Sequence, residues 1–284
     1  MSRTPQPRLL AAVLVAVLAL ADAPGARADG HLEAGEVAAL AAAPAALLWL
    51  GSAIHGSQAD RPPRWTEPPG IDRWAAVHLA PAPRATPANF MDSDLAGAID
   101  VVAMGAAVGW LDATYPWDDP GRDFLQGQLV YWSGYGSMVG VQEGVKSLVG
   151  RQRPLWRQAP EVAALRRDVS PSHHRQSFWS GHAAGAFYGA TFLNLRLRAV
   201  MRGELSAGQW KSWNWVPPAV LFTWASWVGY SRIHAHQHYL TDVLVGAGVG
   251  AAAAALFASF DDGREDSRRS SPQPVPLVTF ALPF

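Results

Sequence analysis

The sequence predicts an all-α protein, a helical bundle of about six core helices joined by long Pro-rich loops. Apolar residues recur with helical spacing in six segments, and no set of segments alternates as β-strands do. A stretch rich in proline, arginine and tryptophan at residues 57–94 indicates a long loop. The 284 residues can bury a sizeable core, and their even composition favours one domain.

The predicted helices follow in order along the chain. They cover residues 37–54, 95–111, 124–149, 183–201, 215–230 and 239–260. Pro44 lies inside the first and is expected to interrupt it, because proline lacks a backbone donor and its ring clashes with the preceding turn. The loop at residues 57–94 is expected to carry at most short helical turns.

The predicted helices differ in how well they suit a membrane. Only residues 37–54 and 239–260 approach the roughly 20 apolar residues that a span needs. The other segments carry polar or charged side chains, such as Asp100 in residues 95–111, and are poor spans. We therefore expect a bundle with closely packed Gly- and Ala-rich faces that rests on a membrane. Six spanning helices are the alternative.

The N-terminal residues have the pattern of an export signal. Arg3 and Arg8 precede an apolar run at residues 9–21, and small residues follow at Ala26 and Ala28. An uncleaved membrane anchor is the alternative, and both place the protein in the periplasm or cell envelope, embedded in the membrane or peripheral to it. The predicted organisation is a signal peptide at residues 1–28, a folded domain at 36–260, and a charged linker and C-terminal tail at 261–284.

Composition excludes several functions. The chain has no cysteine, which removes thiol nucleophiles, Cys-ligated zinc and disulfides. Its formal net charge is +0, so it has no overall basic field of the kind that gathers nucleic acid, and we expect no nucleic-acid partner. Any catalysis must therefore use other groups.

The segment YSRIHAHQHYLTD, residues 230–242, concentrates groups suited to catalysis. At the start of the last predicted helix, His238 and Asp242 are four residues apart and share one face. The carboxylate can then hold one imidazole nitrogen and leave the other free to attack as a nucleophile. Arg232 lies on the approach to this helix, where its planar guanidinium can clamp two oxygens of an anion.

Two other interpretations of this segment stay open. His234, His236 and His238 alternate and would form a zinc site if they lay on a strand, but no strand pattern surrounds them. The chain also has Gln237 where metallohydrolases with alternating histidines carry an aspartate. The remaining interpretation is that these histidines are satisfied within a turn.

Two earlier motifs add further groups for anion binding. Lys146 and Arg153 are seven residues apart, two helical turns, so both cations can face one side, unless they belong to a solvated basic face. Ser180 and Gly181 open an Ala-rich helix, where backbone N–H groups can point at an anion, although this is also common capping chemistry. His182 follows directly and is placed to hand over a proton.

Taken together, the three motifs resemble the signature of the type 2 phosphatidic acid phosphatase (PAP2) and vanadium haloperoxidase superfamily. The resemblance covers residues 146–242 directly, about a third of the chain, and the flanking helices suit that family's bundle. The chain departs from the signature at Trp179, where the family has a proline before Ser-Gly-His. This change alters the entry into the helix and bears on substrate fit more than on the chemical groups.

The resemblance implies a metal-free phosphoryl transfer through a phosphohistidine. His238 would attack phosphorus, Asp242 would orient it, and His182 would protonate the leaving oxygen. The phosphate would be bound by Lys146, Arg153, Ser180, Gly181 and Arg232. Fixed cations then replace the magnesium used by other phosphotransferases. No cofactor is expected, and vanadate would act as an inhibitor.

The substrate is expected to be a phosphomonoester or diphosphate, either of a lipid or isoprenoid or of a small molecule. The tryptophan content and apolar helices favour the lipid and a membrane association. A cationic loop is expected to cap the pocket, or to be merely solvated; it carries Arg157, Arg166, Arg167, His173, His174 and Arg175. The alternatives are a haloperoxidase with vanadate as cofactor, and a non-catalytic envelope protein that keeps the fold.

Overall fold

A computed structural model describes residues 32–58, 61–80, 82, 94–115, 119–165 and 174–261. Within these ranges the chain is helical and forms no β-strand, apart from an isolated parallel bridge between Trp65 and Arg151. The predicted all-α class is therefore confirmed. The predicted signal peptide, nearly all of the C-terminal tail and residues 166–173 of the cationic loop lie outside the described residues.

The helices are numbered here in chain order. They are α1 (Ala34–Gln58), α2 (Gly70–His78), α3 (Asp94–Thr114), α4 (Pro120–Val149), α5 (Pro154–Gln158), α6 (Pro160–Leu165), α7 (Gly181–Glu204), α8 (Ala207–Trp213), α9 (Val216–His234) and α10 (Leu240–Ala258). A 3-10 turn at Ser259–Asp261 follows α10. The long helices α1, α3, α4, α7, α9 and α10 correspond to the six predicted segments.

Two predictions for the N-terminal part were wrong. Helix α1 continues through Pro44, whose ring packs against Gly136 of α4, where the absence of a side chain leaves room for it. The predicted loop contains the nine-residue helix α2. It has only nine residues, but Asp72 and Ala75 are buried against the rest of the protein, and tertiary contacts of this kind stabilise short helices.

Helices α4 and α7 form the centre of the bundle. Helix α4 packs against α1, α3 and α10, whereas α7 packs against α3, α9 and α10. An aromatic cluster joins the two, with Tyr131 of α4 edge-on to Tyr188 and Phe192 of α7 at 5.3 and 5.2 Å between ring centroids. The Tyr188 hydroxyl donates to the Tyr131 carbonyl at 2.7 Å, so the buried hydroxyl is satisfied within the core.

Glycines bring α10 unusually close to α7. A Cβ atom at Gly246 would lie 2.5 Å from the Ser180 carbonyl oxygen, and one at Gly250 would overlap the Ala184 carbonyl oxygen. The Ser180 N–H also donates to the Asp242 carbonyl at 3.0 Å. The first turns of the two helices are therefore held together.

Three helices are long and apolar enough to cross a membrane: Ala34–Gln58, Leu95–Thr114 and Leu240–Ala258. The first and last agree with the sequence analysis, but the prediction that residues 95–111 are a poor span was wrong. The span Leu95–Thr114 carries two acidic side chains, Asp100 and Asp112, and both are buried in the bundle. Asp100 accepts a hydrogen bond from the indole N–H of Trp224, and Asp112 lies 3.7 Å from Nε of Arg196. Both carboxylates therefore face protein and not the outer surface.

Candidate active site

A cavity of about 270 Å³ lies where α4 ends and α7 begins. Six of the eight predicted site residues line it: Lys146, Arg153, Gly181, His182, Arg232 and His238. Ser180 and Asp242 lie behind its wall and are completely buried. Residues from three separate motifs therefore converge on one cavity, with two more supporting it from behind.

The His238 imidazole is held by a main-chain carbonyl. Its Nδ1 atom lies 2.7 Å from the Ser177 carbonyl oxygen, which can only accept, so Nδ1 carries the hydrogen. In the neutral ring Nε2 then keeps its lone pair. The sequence analysis expected the Asp242 carboxylate in this role, but the nearer carboxylate oxygen is 3.9 Å from Nδ1.

His238 precedes α10 and does not lie on it. The cap residue of the helix is Tyr239, and Asp242 in its first turn accepts the Tyr239 N–H at 3.0 Å. The backbone N–H of His238 donates to the Arg232 carbonyl at 3.2 Å, which ties the imidazole to the end of α9. The turn between the two helices passes through His236, whose φ of 57° is in the left-handed region. His238 and Asp242 therefore do not share one face of a helix as expected, because His238 lies in the tight turn before α10.

The surroundings of His238 favour its neutral form. Burial lowers the pKa of the imidazole well below its ordinary value, and the positive charges of Arg153, Lys146 and Arg232 and the neighbouring His182 lower it further. A neutral imidazole has the lone pair that a nucleophile needs. The cations that suit an anionic substrate thus also keep this histidine unprotonated.

Ser177 connects Asp242 to His238. The Ser177 hydroxyl donates to Asp242 Oδ2 at 2.5 Å, and the carbonyl of the same residue accepts from His238 Nδ1. The second oxygen, Oδ1, accepts from Arg151 Nη1 at 2.5 Å. Ser177 and Arg151 are close in sequence to the predicted motifs but were not predicted.

The two cations of the first motif reach the cavity from different elements. Lys146 lies in the last turn of α4, which ends at Val149 with Gly150 in a left-handed conformation at φ 61°. Arg153 is the cap residue of α5, and its guanidinium donates to the Gln237 side-chain oxygen. The expected two-turn spacing on one helix is therefore wrong, although both side chains line the same cavity.

The start of α7 supplies backbone donors. Ser180 caps the helix and accepts from the Ala183 N–H at 3.4 Å, so its hydroxyl is used within the protein. Gly181 is the first helical residue, and a Cβ there would lie 2.5 Å from Gln142 Nε2. A Cβ at Gly97 of α3 would overlap the ring of His182. Close packing around His182 thus needs glycine on its neighbour α3.

The cationic loop differs from its predicted role where it is described. Arg175 is buried and donates to the carbonyls of Gln58, Arg61 and Ser147, so it fastens the N-terminal segment to α4. Arg157 forms an ion pair with Glu67 at 2.8 Å on the surface. Neither side chain is among those lining the cavity.

The three alternating histidines, His234, His236 and His238, do not come together as metal ligands. Among the described residues, no group of three or more His, Cys, Asp or Glu side chains is arranged to hold a metal ion. His234 ends α9, while His238 alone of the three alternating histidines lines the cavity. The geometry of these histidines does not fit the zinc interpretation.

Fold and site thus define a helical protein with a cavity that is lined by three cationic side chains and a buried histidine. Residues 128–265 match the family model of the PAP2 superfamily, and this range contains all eight predicted site residues. This match confirms the resemblance to that superfamily seen in the sequence.

Similar curated proteins are phosphatases by name. Phospholipid phosphatase 2 of Mus musculus is 32% identical over 131 residues, covering 39% of this chain and 44% of the mouse protein. A probable diacylglycerol pyrophosphate phosphatase 1 of Schizosaccharomyces pombe is 37% identical over 79 residues, 28% of each chain. The chain thus spans less than half the length of these relatives. No solved structure matches it.

Proposed function

We propose that the protein is a phosphatase that hydrolyses a lipid phosphate, a monoester or diphosphate, through a phosphohistidine on His238. The observation that carries the proposal is the imidazole itself. It is buried, fixed through Nδ1, depressed in pKa, and borders a cavity lined by Lys146, Arg153 and Arg232. A neutral nucleophile among fixed cations is the arrangement that phosphoryl transfer needs without a metal.

In the first step Nε2 of His238 attacks phosphorus, and the bond between phosphorus and the ester oxygen breaks. The leaving oxygen takes a proton from His182, and the three cations and the Gly181 amide bind the phosphoryl oxygens. In the second step a water gives a proton back to His182 and attacks phosphorus, which breaks the phosphorus–nitrogen bond and releases phosphate. Both steps use groups that line one cavity.

A lipid substrate has two kinds of support. The relatives are named for phospholipid and diacylglycerol pyrophosphate substrates, and three helices have the length and composition of membrane spans. The cavity also has an apolar side, formed by Ala98, Val101 and Val139. That side suits an acyl or isoprenoid chain, while the cations take the phosphate.

The test is phosphate release by the purified protein from phosphatidate, an isoprenoid diphosphate and an aryl phosphate, with a chelator present and vanadate as competitor. We expect chelator-resistant, vanadate-sensitive release that His238→Ala and His238→Asn abolish. His234→Ala is the matched control, because that histidine lies outside the cavity lining and should keep activity.

An alkaline quench after brief exposure to radiolabelled substrate should trap label on the wild type only, since phosphohistidine survives base. Phosphate release that persists in both His238 variants would refute the phosphohistidine mechanism. Phosphate release that stops when the chelator is added would show that the reaction needs a metal ion. Preference for the aryl phosphate over both lipids would refute the substrate class.

A further inference from the structure

Arg151 is buried between two carboxylates. Its Nη2 atom lies 2.5 Å from Asp72 Oδ2 and its Nη1 atom lies 2.5 Å from Asp242 Oδ1. All three side chains are at most 1% exposed. Opposite charges at this distance and burial interact strongly, and removing one leaves the others uncompensated.

The guanidinium is also fixed in orientation. Its Cζ atom lies 3.9 Å from the ring centroid of Trp65 and 4.2 Å from that of Tyr239. Aromatic faces attract a cation, and a planar fork held between two rings keeps its N–H groups aimed at fixed acceptors. Arg151 therefore sets the position of Asp242 as well as balancing its charge.

Asp72 closes this network from helix α2. Its Oδ1 accepts the Thr241 N–H at 2.9 Å, and its Oδ2 accepts the Thr241 hydroxyl at 2.7 Å. The same hydroxyl oxygen accepts from Arg151 Nη1 at 2.8 Å. Asp72 thus holds both the arginine and the first turn of α10, the turn that carries Asp242.

The network reaches the imidazole without a gap. Asp72 bonds Arg151, Arg151 bonds Asp242, Asp242 accepts from the Ser177 hydroxyl, and the Ser177 carbonyl accepts from His238 Nδ1. Three of these residues precede the signature histidine by at least 60 positions, and Asp72 lies outside the range 128–265 that matches the family.

We propose that Asp72 and Arg151 are positioning residues for His238, and that helix α2 is therefore part of the active site. By fixing Asp242 they fix the Ser177 carbonyl, and this carbonyl selects the tautomer and the direction of attack of the imidazole. The proposal rests on the proposed function and deepens it. Neither residue lines the cavity, so they act on turnover and leave phosphate binding to the three cations.

The test compares Asp72→Asn with the wild type on phosphatidate in detergent micelles. The variant keeps the shape of the side chain but loses its charge. We expect kcat to fall about 10- to 100-fold with KM changed less than about twofold, because misplacing a nucleophile costs turnover. Label trapped on His238 in the first turnover should form more slowly by the same factor.

Asp123→Asn is the matched control. Asp123 is a buried carboxylate in the first turn of α4, at the opposite end of that helix from Lys146. It should lower the melting temperature without lowering kcat. In the double variant Asp72→Asn with Arg151→Gln, the loss in kcat should be smaller than the product of the two single-variant losses, because both residues act through Asp242.

A folded Asp72→Asn protein with kcat within about twofold of the wild type would overturn the proposal. So would a rise in KM at unchanged kcat. If Asp72→Asn fails to fold, Thr241→Val is the variant that tests the proposal. It removes only the hydroxyl that contacts both Asp72 and Arg151. It should lower kcat and leave KM unchanged. The loss of phosphate release in His238→Ala is measured first. If that variant keeps its activity, the proposed function fails, and this result is distinct from any result with Asp72→Asn.

Discussion

At the level of single residues, the structure divides the signature into groups that face the cavity and groups that hold them. His182, His238 and three cations face it, whereas Ser180 and Asp242 make their bonds inside the protein. Residue type and spacing were enough to find all of these. They could not assign the partner of His238 Nδ1, because a backbone carbonyl leaves no trace in the side-chain pattern.

The unpredicted residues share one property. The side-chain hydrogen bonds from Arg151 to Asp72, from Arg151 to Asp242 and from Ser177 to Asp242 join positions 79, 91 and 65 residues apart. Helical periodicity describes neighbours three and four residues apart and carries no information on such contacts. The one usable signal for Arg151 was its place inside the first motif, two residues before Arg153.

The depressed pKa of His238 predicts a pH-dependent stability. Between the pKa in the folded protein and the ordinary value of 6.5, the unfolded chain binds one more proton than the folded one. The free energy of unfolding should therefore fall as the pH drops below 6.5, by up to about 1.4 kcal/mol per pH unit for this one group.

The measurement is the melting temperature of the wild type and His238→Asn in detergent between about pH 5 and pH 7.5. Asparagine has no titrating group and keeps a donor for the Ser177 carbonyl. The variant should lose less stability than the wild type as the pH falls. Parallel pH curves for the two proteins would contradict the prediction.

At the level of elements, local pattern was sufficient for the six long helices and insufficient for α2. The long helices have 19 or more residues, so each apolar stretch is long enough to be recognised by itself. Helix α2 has nine residues and follows two prolines, and its stability comes from Asp72 and Ala75 packing against distant parts of the chain. The expected interruption at Pro44 was wrong for a related reason: Gly136, which is distant in sequence, leaves room for the proline ring.

The α7–α10 contact predicts opposite outcomes for two glycines of one helix. Gly250→Ala would place a methyl group against the Ala184 backbone, whereas a Cβ at Gly248 meets nothing within 4 Å. We expect Gly250→Ala to destabilise the protein by about 1–3 kcal/mol through overpacking. Gly248→Ala should be neutral or stabilising by up to about 1 kcal/mol through helix propensity.

Melting temperature and phosphate release together check this prediction. Gly250→Ala should lower both, because separating α10 from α7 moves Asp242 relative to Ser180. If the two alanine variants have the same melting temperature and the same rate of phosphate release, the close contact between α7 and α10 does not depend on glycine at position 250.

At the level of the whole molecule, five exposed tryptophans lie towards the two ends of the bundle, while Trp49, Trp132 and Trp224 are exposed along α1, α4 and α9. Trp110, Trp213 and Trp215 are exposed at the end away from the cavity, near where α3 and α7 finish and α9 begins. Trp74 on α2 and Trp227 on the last turns of α9 are exposed towards the cavity end. Indole rings favour membrane interfaces, so this distribution suits a bundle that spans a bilayer.

We therefore expect the protein to stay with the membrane pellet after alkaline carbonate extraction and to leave it only in detergent. Carbonate strips proteins bound by charge or surface contact, but α1, Leu95–Thr114 and α10 would keep their apolar surfaces in lipid. A peripheral membrane protein that carbonate releases is the control. Release of this chain into the carbonate supernatant would show that its helices do not span.

The contact between Thr241 and Asp72 joins positions 169 residues apart, and it bears on the order in which the parts of the site come together during folding. A chain whose first third has not yet docked can already bring the three cations together, since these lie after residue 145. On our proposal it would capture phosphate esters yet process them slowly. Full turnover would then require the completed fold, because the N-terminal helices α1 and α2 would be the last elements to pack against the active site.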